Sequence, residues 1–175
     1  MRDTVMLEGM PEPITLRLYA SPADAPVPFS VYLPRAFDAE VVPGEEGWAV
    51  RFAADFANTG ASPGWIEVLF HPAGTSEAEA RDALPLAARS GGREERSLEG
   101  SPRFPWSLEE RGFTADEPDG TRIVGTLALG RHDERLFRLT IRYPEEWGDG
   151  FGPRASLLLD TWRWRSGERL GQGAR

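Results

Sequence analysis

From Leu136 to Tyr143 the chain reads Leu-Phe-Arg-Leu-Thr-Ile-Arg-Tyr, apolar and polar side chains taking turns until Pro144 stops them, the pattern of a strand with one buried face. Ala155, Leu158, Leu159 and Trp162 then recur at i, i+3, i+4 and i+7 and predict an amphipathic last helix running into Trp162-Arg-Trp164. Pro153 suits the first turn of that helix, Asp149 lies ahead of it, and Arg163 and Arg165 at its end complement its dipole. Nearer the N-terminus, Ile14, Leu16 and Leu18 point one way and Thr15, Arg17 and Tyr19 the other, which predicts a first strand. Phe29-Ser-Val-Tyr-Leu33 restarts the alternation before Pro34, and Ala39–Val42 is a short third strand. Pro43-Gly44 and Gly47 turn the chain into Trp48–Ala53, and Trp65–Phe70 follows a loop over Asn58–Gly64.

A helix is predicted next. Ser76 stands three residues before Glu79, the spacing of a capping box, and Ala80, Leu84 and Ala87 share one face. Pro85 lacks the backbone donor that a helix interior uses, so a kink near Leu84, or two short pieces, is expected before Gly91-Gly92. Between Arg93 and Pro105 the signals are weak, an edge strand or a loop. Trp106–Thr114, Arg122–Leu129 and Arg135–Tyr143 read as an antiparallel meander joined by turns at 117–120 and at His132-Asp-Glu134. The expectation is a loose arm to residue 12, one domain over 13–166 and a flexible tail over 167–175. Its class is α+β, an antiparallel sheet of six to seven strands packed against helices.

Composition narrows the chemistry. The 175 residues contain no cysteine, no lysine and two histidines, which removes thiol nucleophiles, Schiff-base lysines, phosphate-loop lysines and cysteine-rich metal sites. All twenty cationic side chains are arginine, and an apolar content of 40% suffices for a single core. A net charge of −8 opposes general nucleic-acid binding, which needs a basic face to release counterions. No run of apolar residues is long enough to span a membrane, and Met1–Gly9 lacks the pattern of a signal peptide. The chain as written is expected to be cytoplasmic and monomeric, or extracytoplasmic if a leader has been removed.

Phe29-Ser-Val-Tyr-Leu-Pro34, Trp48-Ala-Val-Arg-Phe52, the helix opened by Gly74-Thr-Ser-Glu-Ala-Glu-Ala80, and Leu136–Pro144 with its terminal helix resemble the PsbP-like superfamily. That group includes the extrinsic PsbP protein of the oxygen-evolving photosystem, Ran-binding Mog proteins and bacterial lipoproteins of the DcrB and LpqN kinds. The resemblance covers Phe29 to Trp164 and rests on element order and apolar spacing. It implies an α/β/α sandwich and an accessory or interaction role without catalysis, and it carries over no active-site residue.

Strand parity nominates a first site. If the apolar set faces the helices, the other face collects Arg17, Tyr19, Tyr32, Arg51, Trp65, Glu67, Arg138, Thr140 and Arg142. Guanidinium forks beside aromatic rings suit a partner bearing carboxylate or phosphate. The same set also reads as a solvated face whose arginines pair with Glu67 and its neighbours, or as a face covered by a further helix. A second candidate is the loop Trp147-Gly-Asp-Gly-Phe-Gly-Pro153, near Phe104-Pro-Trp106, where glycines flank Phe151 as in a binding loop. The preferred reading of Trp147 and Phe151 is as staples seating the last helix, since a ring just ahead of an amphipathic helix packs on it. His71, His132 with Asp133 and Glu134, and the group Glu145, Glu146 and Asp149 lack the spacing of a zinc or calcium site. Neither a metal nor a cofactor is expected. The reading is a non-enzymatic domain docking a protein partner, with a small anionic or amphipathic ligand as the alternative.

Overall fold

A computed structural model of the chain describes residues 2–7, 9–44, 46–54, 56, 64–88, 94–96 and 103–170. In order these form β1 (Arg2–Leu7), β2 (Met10–Ala20), β3 (Phe29–Pro34), β4 (Phe37–Gly44), β5 (Gly47–Ala54), β6 (Gly64–Phe70), α1 (Glu77–Ala88), β7 (Glu94–Arg96), β8 (Glu109–Asp116), β9 (Arg122–His132), β10 (Arg135–Pro144), α2 (Gly148–Thr161) and β11 (Arg163–Trp164). The fold is α+β and mostly antiparallel sheet. Instead of one sheet there are two, a seven-stranded sheet in the order β4-β5-β6-β10-β9-β8-β7 and a four-stranded one in the order β1-β2-β3-β11.

Both faces of the large sheet are covered. On one, Phe52, Ile66, Val68, Phe70, Phe137, Leu139 and Ile141 meet Phe151, Ala155, Leu158 and Leu159 of α2 and Phe29, Val31 and Leu33 of β3. On the other, Ala80 and Leu84 of α1 lie on Phe113, Ile123, Leu127, Leu129 and Leu136. Apolar residues thus reach helices on both sides, whereas the sequence pattern assigned helices to one.

The capping box forms as spaced: the Ser76 N–H donates to Glu79 Oε2 at 2.8 Å and the Glu79 N–H donates to Ser76 Oγ at 3.2 Å. The Ser76 hydroxyl, donating to Glu79 Oε2 at 2.7 Å, and then the Ser76 N–H hold the Glu79 carboxyl below the usual range. Helix α1 runs unbroken through Pro85, one turn from its end, in place of the expected kink. Helix α2 begins at Gly148, so Pro153 lies inside it and not in its first turn. It ends at Thr161, where Trp162 turns extended and Arg163 Nη1 donates to the carbonyls of Asp160 and Trp162, satisfying helix-end acceptors. Trp164, expected on the helix, instead pairs with Phe29 in β11.

The expected loose arm contains β1, hydrogen-bonded to β2 from Arg2↔Thr15 to Leu7↔Met10. At the other end Trp164 donates its N–H to Glu168 O, so the chain folds back on itself where a tail was expected. The expected glycine stop at Gly91-Gly92 and the chain beyond residue 170 lie outside the described residues, as does the 58–63 loop.

Gly47 has φ +145°, and a Cβ there would stand 2.2 Å from the Phe70 carbonyl oxygen. Gly47→Ala is expected to lower stability by about 1–3 kcal/mol in urea unfolding. Gly74→Ala, at φ +85° with open space around it, should lose less.

Candidate functional site

Sheet register explains which predicted residues meet. Glu40, Arg51, Glu67, Thr140 and Leu127 stand in one row across β4, β5, β6, β10 and β9. Side chains two residues along a strand share a face, so Trp65 and Arg142, which pair with each other, and Arg138 join that row on one side of the sheet. Parity therefore brings together Arg51, Trp65, Glu67, Arg138, Thr140 and Arg142. Arg17, Tyr19 and Tyr32 belong to the four-stranded sheet and do not join them.

The centre of the gathered face is shut from water, while Arg51 and Trp65 at its side are partly exposed. Arg138 is 5% exposed, Glu67 7% and Thr140 2%. Charges withdrawn from water need partners, and these have them. Arg51 donates through Nε and Nη2 to Glu67 Oε2 at 3.1 and 2.8 Å, and its guanidinium lies 4.7 Å over the Trp65 ring. Arg138 Nη1 donates to Glu46 Oε2 at 2.9 Å, and its Nη2 lies 3.8 Å from Glu67 Oε1. Arg142 pairs with Glu117. Glu40, Glu46, Glu67 and Glu117 outnumber Arg51, Arg138 and Arg142, so an anionic ligand entering here would have to displace a carboxylate.

The other candidates lie elsewhere. Arg17 Nη2 donates to Phe37 O and Asp38 Oδ1, both at 2.7 Å, tying the small sheet to β4. Tyr19 packs edge-on to Phe52, its ring centroid 5.6 Å away, and burial followed by the Asp24 charge pushes its hydroxyl pKa up. The Tyr32 N–H donates to Thr161 Oγ1 at 3.1 Å, joining β3 to the end of α2. Phe151 is fully buried, stacked on Tyr143 at 4.7 Å and 5.5 Å from Phe37, and Trp147 packs against Phe56 at 5.2 Å. The segment 147–153 is the N-cap and opening residues of α2, so the binding-loop reading gives way to the staple one, with both rings seating the helix.

Sequence reasoning missed two features. His71 and Glu46 join the Arg138 cluster: burial lowers the His71 pKa, Arg138 lowers it further, and Glu46 opposes them. A lone histidine after a strand gave no pointer to a glutamate in a distant turn. Leu18 was expected to face the core with Leu16, but Leu16 is buried and Leu18 is 61% exposed. Among the described residues no group of acidic, histidine or cysteine side chains has the arrangement of a metal site. None of their helices is long and apolar enough to cross a membrane.

No family model matches the chain, and no curated protein matches it. Among solved structures, the crystal structure of a protein from Bacteroides thetaiotaomicron VPI-5482 is similar at a TM-score of 0.49 and 16% identity. That match covers 85% of this chain and 48% of the other, so the chain spans about half the length of the structure it resembles.

Glu67→Leu takes two hydrogen bonds from Arg51 and one of the two carboxylates facing Arg138, leaving Glu40 3.7 Å from Arg51 and Glu46 on Arg138, and is expected to cost about 1.5–3 kcal/mol in chemical unfolding. Combined with Arg138→Met, the loss should fall short of the sum of the single losses by about 0.5–3 kcal/mol, the coupling expected of neighbours in one network.

Proposed function

We propose that this chain is a non-enzymatic interaction domain, PsbP-like in its order of elements, that docks a protein partner along the β1–β2 hairpin. The observation that supports the reading is the exposure of β2: of its eleven residues only Leu16 is buried. Met10 and Leu18 on β2 and Met6 on β1 are 65%, 61% and 56% exposed. A strand wet on both faces adds little to a core, and apolar side chains held there suit a surface covered on binding. Strand β1 is the outer member of its sheet, so its outward N–H and C=O groups can pair with a further strand. The partner that fits is a protein offering an extended segment with apolar side chains at alternate positions.

A small-molecule reading draws on a crevice of about 100 Å³ lined by Phe104, Trp106, Leu159, Asp160, Arg169 and Leu170. Sites that enclose a whole small ligand run from about 300 Å³ upward, so this one suits only a fragment-sized guest.

The docking reading is tested with a photo-crosslinking amino acid placed at position 10 or 18 and, as a control, at the exposed Glu134 in the turn between β9 and β10. A discrete adduct with one polypeptide from positions 10 and 18, absent from position 134, is expected in the native host. Equal labelling from all three positions, or none, would sink the idea. Met10→Asp with Leu18→Asp should remove the partner from the co-purified complex while changing stability by no more than about 0.5 kcal/mol per site.

A further inference from the structure

His71 stands where β6 hands the chain to α1, and its backbone is fastened on both sides. Its N–H donates to Leu136 O at 3.0 Å, and its carbonyl accepts from Arg135 Nη1 at 2.9 Å. The imidazole is 5% exposed, and its Nε2 is buried without a hydrogen-bond partner among the described residues. Arg138 Nε shares that condition. Two unsatisfied polar atoms on neighbouring basic side chains are unusual in a folded interior and call for an explanation. Glu46, half exposed at the β4–β5 turn, is the carboxylate that meets Arg138 here.

We propose that His71, Arg138 and Glu46 form an acid-sensitive latch: when His71 takes up a proton the buried site holds two adjacent cations, and the connection from β6 to α1 opens. Pro72–Ser76 then loses its fixed origin, and Ala80 and Leu84 of α1 loosen from Leu127, Leu129 and Leu136. Acid thereby uncovers an apolar surface that is closed at neutral pH.

The direction follows from linkage. Burial and Arg138 hold the folded-state pKa of His71 below its ordinary value near 6.5. The closed form is therefore fully favoured above that value and loses ground as pH falls below it, by up to about tenfold per unit, until the folded-state pKa is reached. The other charges near α1 act in a different window. Arg81 pairs with Glu77 and Glu109, and Arg131 pairs with Glu77. The Arg81 hydrogen bond holds the Glu77 carboxyl below its usual range, so this network keeps its charge where His71 changes.

The test is hydrogen–deuterium exchange of the full chain at pH 7.5 and 5.5, corrected for intrinsic rates and read over residues 71–84. In the wild type, opening of this segment should rise by up to about tenfold. His71→Gln should abolish the rise whatever its absolute stability, because the readout is the ratio between the two pH values. Glu46→Gln, which removes the attraction for the imidazolium, should enlarge it. His132→Gln, at the chain's other histidine, should leave it unchanged. A flat wild-type response, a rise that persists in His71→Gln, or one that vanishes only in His132→Gln would overturn the latch.

Discussion

A strand in the middle of a sheet with both faces covered has no solvent side on which to place charge, and β10 is such a strand. Phe137, Leu139 and Ile141 face one core cluster and Leu136 the other, while Arg138 and Thr140 on that second side are equally shut from water. Arg138 therefore exists in the fold only because β6 and the β4–β5 turn bring carboxylates to it. An apolar pair in the same place would hold the sheet as well or better, since desolvation offsets much of what a buried ion pair contributes. What the charges add is register. A slip of one residue between β6 and β10 would carry Glu67 to the opposite face and leave Arg138 without it.

The other face is held by aromatic packing. Trp162 is stacked on Phe29 with centroids 4.0 Å apart and meets Phe52 edge-on at 6.2 Å, and Trp164 is stacked on His132 at 4.3 Å. Rings supply much buried area with few rotatable bonds, which suits a junction of α2, two sheets and the returning chain. The indole N–H groups of Trp162 and Trp164 are buried without partners among the described residues, a cost accepted for packing.

Much of the large sheet was legible. Alternation in Trp48–Ala53, Trp65–Phe70 and Leu136–Tyr143 reports one face at a time, and parity placed Arg51, Trp65, Arg138 and Arg142 together because that rule is local. It could not tell that α1 would cover part of the same face, since coverage depends on tertiary packing. The small sheet was read in part: alternation in Ile14–Tyr19 and Phe29–Leu33 gave strands where β2 and β3 lie, but nothing in it set them apart from the large sheet. Strand β1 has little alternation and β11 is two residues long, and neither was expected. Phe151 left two readings open for a simpler reason: glycines on either side of a ring read as a turn, whereas the burial of that ring against Tyr143 and Phe37 carries the helix through them. The Arg138–His71–Glu46 grouping joins three segments far apart in sequence, and no spacing rule reaches across such loops.

The bond from Tyr32 to Thr161 spans 129 residues, and β3 finds its second neighbour in β11 only just beyond. On a ribosome, β1, β2 and β3 emerge early and then wait with one side of β3 unpaired while nearly all of the remaining domain is made. Closure of the small sheet is thus a late event, gated by the last turn of α2 and the two residues of β11. A chain released before Trp164 would keep its large sheet's strands but leave the N-terminal strands with an open seam beside Phe29, the kind of edge on which growing polypeptides join one another.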